Sequence, residues 1–599
     1  MMSAPMNDAV DVAVVGSGVA GLLAALRAHD RGLRVAVIEK AACFGGTSAT
    51  SGGALWIPNH AAGADGDSRE KALSYLLAVS RGDHRLDRIE AFIDNAPPTL
   101  RYLRGLGIDF DVFPGMPDYF PDAPGSFAGR ALFPRELDGS TLGEAFFQLR
   151  DTAPAFKLLD RYTLDLAQSF TLAARPRGWR LVAARILAKY WLDFGWRRMT
   201  RRDRRLTLGS ALIGRLRLAL AERGIPLSCH TRLERLVLDG GRIAGLALRR
   251  HAKPLNLPVK LAVVLAAGGF EQSQALRDRY LPVATDARWS LTPRHANEGD
   301  ALIAAQAVGA ALESMSCAWW APSMQLPGRE FPNIEVTHQM FFDHRHPHSL
   351  CVNRLARRFV NESCSYDRFG MAMIEDQKRS AANIPCWMIF DATYRARHGA
   401  GGIMPSSIAP DRKIPREWWD SYLYRAATVE ALAAKIDLNP AELARTVARM
   451  NEYAKTGHDA EFGRGAGAYD RYFGDPRSRP NPCLGALITP PFYAVRIDLG
   501  DLGTKGGLKT DANAQVMRAD GAVIDGLYAV GNCAGAPFGD CYPGAGATLS
   551  AAAVFAFIAA NAIAGAGAGS TFAHSAVAST GVAAGTTGTG GAAQPRPLA

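Results

Sequence analysis

Nothing in these 599 residues reads as a disulfide framework, a zinc site or a targeting segment. Cysteine is sparse and scattered, at 43, 229, 317, 351, 364, 386, 483, 533 and 541, with no CxxC pair. That pattern reads as reduced, intracellular thiols. The opening MMSAPMNDAVDVAVV lacks the basic-then-apolar order of a signal peptide, so none is expected. No charge-free run of about 18 apolar residues is read, and no membrane span is expected. Metal is not expected either: the histidines of HQMFFDHRHPH (338–348) lack an acid or cysteine at a completing ligand spacing.

Positive charge, by contrast, is in excess and local. The net charge is +11, and the segment 175–205 alone holds eleven Lys or Arg against two acids. On one continuous helix Arg185, Lys189, Asp193 and Arg197 fall on a stripe. Leu181, Val182, Ile186, Leu187, Tyr190, Trp191, Phe194 and Trp196 cover the other faces. Two readings stay open: a helix lying in an anionic membrane interface, or a packing helix with a basic surface loop. No recognition motif accompanies the charge, so nucleic acid is not an expected partner. The expected location is cytoplasmic, with peripheral contact at the inner face of the cell membrane on the first reading.

The stretch DVAVVGSGVAGLLAALRAHDRGLRVAVIEK (11–40) reads as strand, glycine turn, helix, strand. Gly16 makes the tight turn, Gly18 lets backbone approach a pyrophosphate, and Gly21 allows close helix–strand packing. With Ser17 and Ala20, this turn presents the helix N-terminus to an anion. Glu39 ends the second strand, placed for ribose hydroxyls, with Lys40 beside it. An acid there repels the 2′-phosphate of NADP and leaves NAD and FAD open. A second loop, FGGTSATSGGALWIPN (44–59), decides for FAD: Gly45, Gly46, Thr47, Ser48, Ser51, Gly52 and Gly53 offer N–H and hydroxyl donors to a longer cofactor. Strands ending at Gly268 and at Gly531-Asn532 belong to the same unit, as does the helix start with Thr548 and Leu549.

The chain length allows two to four domains. We expect an α/β protein: a Rossmann-type FAD-binding domain of the glutathione-reductase/fumarate-reductase kind, with an inserted α+β substrate (cap) domain. Its first part would be 8–289, with a basic amphipathic insertion at about 150–206. The substrate domain would be 290–485, the second FAD part 486–565, and the Ala/Gly/Thr/Ser-rich remainder, 566–599, disordered.

The fingerprint, GGTSATSGG and the C-terminal strand–Gly-Asn–helix resemble the fumarate reductase/succinate dehydrogenase flavoproteins. GGALWIPN (52–59), PDYFPDAPG (117–125), RRFVNESCSYDRFG (357–370), FGRGAGAYDRYFGDP (462–476) and CYPGAGAT (541–548) resemble the 3-ketosteroid Δ1-dehydrogenases within that superfamily. The superfamily's histidine tether for FAD has no counterpart in 44–53, so the resemblance implies non-covalent FAD. Its dicarboxylate-binding His/Arg set is not visible near CYPGAGAT. It implies FAD-dependent 1,2-dehydrogenation of a 3-ketosteroid, with an unknown electron acceptor such as a quinone. By the same resemblance Tyr542 and the Gly546 N–H bind the C3 carbonyl, Tyr366 removes the C2 proton, and Tyr119 supports it. The turn chemistry agrees, since Pro543 and Gly544 aim a hydroxyl and an amide at one oxygen, next to a helix start. Asp470 and Tyr472 read as a structural turn and packing. The alternatives are a dehydrogenase of another position, such as 4(5α), or of a non-steroid cyclic ketone, and a membrane-associated flavin-containing binding or electron-transfer protein.

Overall fold

The computed structural model describes residues 8–60, 66–81, 85–113, 115–331, 334–339 and 342–578. Val10–Val15 is a strand because branched valines suit a pleated surface, and its last four residues are buried. It pairs in parallel with Val35–Ile38 on one side and the C-terminal half of Lys253–Leu265 on the other. Leu227–Ser228 and Val523–Ala529 extend the parallel set at its two edges. Lys253–Leu265 does double duty: its N-terminal half pairs antiparallel with Arg242–Arg250, which pairs with Thr231–Asp239. Helix Val19–Asp30 lies close on the sheet. A Cβ at Gly21 would sit 1.9 Å from the Gly16 carbonyl oxygen, so only glycine fits there.

A second sheet, wholly antiparallel, runs in the order Ile334–Gln339, Ala318–Phe331, Phe492–Thr504, Cys386–Phe390, Ser349–Val352, with Leu423–Ala426 also paired to Phe492–Thr504. This corrects the expected division at 486. Phe492–Thr504 is the central strand of the second sheet, with mostly buried side chains, and the chain rejoins the first sheet at Gln515–Met517, which pairs antiparallel with Val523–Ala529. Buried ion pairs hold the joint between sheets. Arg277, on helix Gln274–Tyr280, meets Asp501 at 2.7 Å with both side chains fully buried. Asp501 also accepts hydrogen bonds from Ser290 Oγ (2.8 Å) and the Gly503 N–H (3.1 Å).

The last helix begins at Ala547 and continues to Ala578, past the boundary expected at 565; the rest of the expected disordered tail, 579–599, lies outside the described residues. Its first twenty residues, Ala547–Ala566, are charge-free with a mean hydropathy of 1.9, long and apolar enough to cross a membrane by length and composition. That corrects the reading that no such run exists. The physical reason for its composition is internal. It packs along Val19–Asp30 and Leu86–Gly105, Ala556, Ala559 and Ala560 are fully buried, and Arg27 donates to Asn561 Oδ1 at 2.8 Å. Small side chains let helices approach closely.

The basic insertion is not one helix. Leu166–Ala174, Trp179–Trp191 and Phe194–Met199 are separate, around a small cluster of Tyr162, Leu164, Ile186 and Tyr190. Asp193 leaves helical geometry and pairs with Arg204 at 3.2 Å, which breaks the expected Arg185–Arg197 stripe. Arg197 instead covers the Tyr190 ring at 3.9 Å.

Arg277→Met should destabilise the protein by about 3–5 kcal/mol, because Asp501 is left buried and unpaired. A drop in the urea midpoint of the flavin-loaded protein, at unchanged slope, is the expected reading. An unchanged midpoint would show that the joint does not depend on this pair.

Candidate active site

One cavity of about 300 Å³ runs from the glycine fingerprint to a cluster of tyrosines. Its fingerprint end is lined by Gly16, Ser17, Gly18, Ala20, Glu39 and Lys40. Gly46, Thr47, Ser48, Ser51, Gly52 and Gly53 form its middle, with Gly268, Gly531, Asn532, Thr548 and Leu549 facing them. Two expected residues are not on the wall. Gly21 sits beneath the turn in the packing role expected of it, and Gly45 lies behind, its N–H donating to Ser17 Oγ at 3.0 Å. Glu39 does local work here: its carboxylate accepts from Ser17 Oγ (2.5 Å) and the Ala41 N–H (2.9 Å). Lys40 pairs with Glu298 and Asp300.

The donor set fits a dinucleotide. The N-cap residue of helix Val19–Asp30, Gly18, makes no side-chain cap; the Val19 N–H donates to Ser48 Oγ at 3.1 Å, and the N–H groups that follow it in the first turn are left for an anion. Gly53 has φ +67° and a Cβ there would strike the Gly209 nitrogen at 2.4 Å, so backbone alone forms that wall. Thr548, on the facing wall, is hydrogen-bonded to the Tyr542 side chain and so links this wall to the tyrosines.

At the other end three phenols meet. Tyr366 is the first residue of helix Tyr366–Ser380, Tyr119 comes from the PDYF loop, and Tyr542 precedes the last helix. The Tyr119 and Tyr366 hydroxyls are 2.9 Å apart, and Tyr366 also hydrogen-bonds Tyr542. The Tyr542 ring lies 5.2 Å from Tyr119, 5.7 Å from Tyr366 and 4.8 Å from Trp319, centroid to centroid. The turn after Tyr542 is wedged in place: a Cβ at Gly544 would meet Trp56 at 2.4 Å, and one at Gly546, where φ is +97°, would meet the Ala54 carbonyl carbon at 2.5 Å. The Pro543 carbonyl accepts from Tyr75 Oη (2.6 Å) and the Tyr119 N–H (3.0 Å). Burial pushes the Tyr119 and Tyr366 hydroxyls well above the ordinary tyrosine value and raises that of Tyr542. Beneath them, burial lifts Asp367 to about 6, opposed by Lys505 at 3.4 Å.

The family model described as FAD binding domain matches residues 11–549. Over 569 residues the chain is 36% identical to the 3-oxosteroid 1-dehydrogenase of Mycobacterium tuberculosis (strain ATCC 25618 / H37Rv), covering 92% of this chain and 97% of that protein. The solved 3-ketosteroid delta1-dehydrogenase from Sterolibacterium denitrificans, in complex with 1,4-androstadiene-3,17-dione, is 40% identical with a TM-score of 0.89, covering 94% of this chain and 100% of that one. The chain belongs to the 3-oxosteroid 1-dehydrogenase family of FAD-binding flavoproteins. It is also 35% identical, over 93% of each chain, to 4-oxocyclohexanecarboxylate 2-dehydrogenase from Sinomonas cyclohexanicum.

Sequence reasoning passed over part of the wall. Arg232, Asn297 and Asp300 line the cavity beside Lys40, and Met116, Phe133, Phe342, Arg345, Tyr469 and Phe473 line it near the tyrosines. HANEGD, with Gly299 at φ +84° ahead of helix Asp300–Gln306, carried a turn-to-helix signal for the first group. The second group comes from segments far apart in the chain, and no local pattern joins them. Asp470 is not in a turn but in the short helix Ala468–Tyr472, where its carboxylate is held locally, accepting from Asn361 Nδ2 (2.8 Å) and the Gly465 N–H (3.0 Å).

Acid precipitation should release all the yellow colour into the supernatant, because no histidine stands in 44–53 to tether the flavin. Colour retained in the washed pellet would overturn non-covalent binding. Gly546→Ala should lose at least tenfold in steady-state turnover while keeping its flavin, since the new Cβ displaces only the turn; a wild-type rate would mean the turn adjusts freely.

Proposed function

We propose that the protein introduces the C1–C2 double bond of a 3-ketosteroid, and that the three-tyrosine cluster carries the proton chemistry. The observation that supports this most directly is the 2.9 Å Tyr119–Tyr366 hydroxyl pair beside Tyr542 in an aromatic cavity continuous with the nucleotide fingerprint. Tyr542 and the Gly546 N–H hold the C3 carbonyl oxygen and stabilise the charge that grows on it when the C2–H bond breaks. One such preorganised donor is typically worth about 2.7–4 kcal/mol. Tyr366 takes the C2 proton as general base, and Tyr119, hydrogen-bonded to it, shares the resulting proton or charge. FAD, when bound, supplies the two-electron acceptor for the C1 hydride. The helix start at Gly18 and the loop 46–53 would hold it. The domain division proposed with this reading is an FAD-binding unit around the parallel sheet and a substrate unit around the antiparallel one.

The relative from Sinomonas cyclohexanicum makes a small cyclic ketone the second reading. Under anaerobic conditions a 3-keto-4-ene steroid should bleach the flavin band, while succinate leaves it untouched. Bleaching by 4-oxocyclohexanecarboxylate alone would replace the steroid with the smaller ketone. Tyr366→Phe keeps the ring and deletes the hydroxyl, so flavin reduction should slow by about 10²–10⁴ with steroid affinity held within a few-fold. Tyr542→Phe should weaken both. A wild-type reduction rate in Tyr366→Phe would move the base to Tyr119.

The insertion supports peripheral membrane contact. Leu181, Trp191, Leu192, Phe194 and Met199 are each more than half exposed, alongside exposed Arg180, Arg185, Lys189, Arg198 and Arg201. Apolar side chains ringed by cations suit an anionic lipid surface, at about 1 kcal/mol per basic residue. Charge reversal at Arg198 and Arg201 with Leu192→Ser and Phe194→Ser should abolish sedimentation with phosphatidylserine vesicles and leave turnover of a soluble steroid intact. A wild-type protein that ignores such vesicles would sink this reading.

A further inference from the structure

A tyrosine buried among other tyrosines is a poor base unless something nearby favours its anion. Burial raises Tyr119 and Tyr366, and the neighbouring phenols Tyr469 and Tyr542 oppose a negative charge further. A positive group is needed, and one stands on the cavity wall. Arg345 is 1% exposed, and its guanidinium carbon lies 5.0 Å from the Tyr469 ring centre, 4.8 Å from that of Phe473 and 5.3 Å from that of Phe342. The Tyr469 ring is in turn 5.3 Å from Tyr119, nearly perpendicular to it. Among the described residues no carboxylate forms an ion pair with Arg345; its side chain hydrogen-bonds Tyr469, while its Nε and Nη1 have no hydrogen-bond partner. A buried cation with no carboxylate paired to it acts on the phenols that surround it, Tyr469 first and Tyr119 behind it.

The position of Arg345 is built. Its N–H donates to the Phe342 carbonyl (3.1 Å), and its own carbonyl accepts from Ser363 Oγ (3.1 Å) and Arg464 Nη2 (3.2 Å). Arg464 also donates to the Ser349 and His346 carbonyls and pairs with Glu362 at 3.4 Å, four residues before Tyr366. One buried network therefore fixes both Arg345 and the start of the Tyr366 helix.

We infer that Arg345 stabilises negative charge on the Tyr119–Tyr366 hydroxyl pair across Tyr469, as a positioning residue for proton abstraction. The inference rests on the proposed role of Tyr366 as base. The other groups around the cluster do not supply the charge. Asp367 and Asp540 offset Lys505 on the Tyr542 side. Asp470, behind Tyr469, is bound to Asn361, and burial keeps His344, next to Arg345, neutral at pH 7. Arg345 favours the phenolate, so removing it must raise the proton affinity of the pair and shift its titration to higher pH.

The test uses flavin-loaded wild type, Arg345→Met and Arg345→Lys, with 2,3,5-trifluorotyrosine at position 366 for a fluorine NMR titration. In parallel, unlabelled proteins give the pH profile of anaerobic flavin reduction by a 3-keto-4-ene steroid. Arg345→Met should move the fluorine midpoint and the rising limb of the profile up by about one unit, a roughly tenfold loss of rate below the midpoint. Arg345→Lys should keep most of the wild-type position. Unmoved midpoints in Arg345→Met overturn the inference. So does weaker steroid binding at an unmoved midpoint, which would make Arg345 a substrate contact. The fluorine titration needs no substrate, so it still decides the matter if no steroid reduces the flavin and the proposed activity fails. Arg345→Gln serves as the neutral variant if Arg345→Met does not retain flavin.

Discussion

The Pro543 carbonyl oxygen is the constraint on which the tyrosine cluster depends. It takes one hydrogen bond from Tyr75 Oη and one from the Tyr119 backbone, so a single atom joins the PDYF loop to the YPGAG turn. Tyr75 Oη also accepts from the Phe120 N–H at 3.3 Å, closing the bracket on the loop's other side. With glycines at 544 and 546 pressed against Ala54–Trp56, the turn cannot slide along its neighbour. Tyr119 and Tyr542 are therefore set relative to each other by backbone, before either side chain meets a ligand. Such preorganisation is what makes a buried donor effective, because nothing must reorient as charge develops.

Around this bracket the interior is unusually ionic, and the buried pairs share one arrangement. Arg130 joins Asp67 and Asp118, and Asp118 accepts from Trp56 Nε1 at 2.7 Å, tying the Tyr119 loop to the strand beneath the turn. Arg358 joins Glu362 and Asp459 below Tyr366, and Arg277 joins Asp501 between the sheets. Buried pairs add little net stability, since desolvation offsets most of the attraction. Breaking one is costly, however, so each makes one loop geometry far better than its alternatives. Arg345 departs from this arrangement. It is equally buried and faces aromatic rings instead of a carboxylate.

The insertion shows how the same composition can serve two ends. Helix Leu166–Ala174 turns inward: Phe170 packs on Phe113, Phe342 and Phe473, and Leu166 lines the cavity. The following two helices turn their leucines, tryptophan and phenylalanine outward among arginines. Arg175, between the two parts, donates to Ser407 Oγ at 2.6 Å and so anchors the segment to the loop that carries Ser407. The wall of the cavity and the exposed apolar face are therefore one short piece of chain.

Much of the nucleotide half was legible in the residues, because its physics is local. GSGVAG and GGTSATSGG each act through backbone shape within a few residues, and glycine at a required φ leaves a readable mark. The tyrosines at 119, 366 and 542 could be picked out by resemblance, but no spacing in the chain says that three positions 247 and 176 residues apart share one hydrogen-bonded cluster. Where local pattern and packing disagreed, packing won. Asp193 broke a helix whose apolar period was continuous, and a charge-free twenty-residue run became a core helix because alanines let it lie against Val19–Asp30. Phe492–Thr504 joined the second sheet through partner residues that lie 66 to 186 positions earlier in the chain, which no local pattern marks. The sequence by itself determined the cofactor turn, since a glycine's freedom and a helix's free N–H groups need no distant partner. Which side chains face the substrate, and which cation stands behind the phenols, was decided only by tertiary structure, because burial and field are properties of neighbours that the chain order does not name.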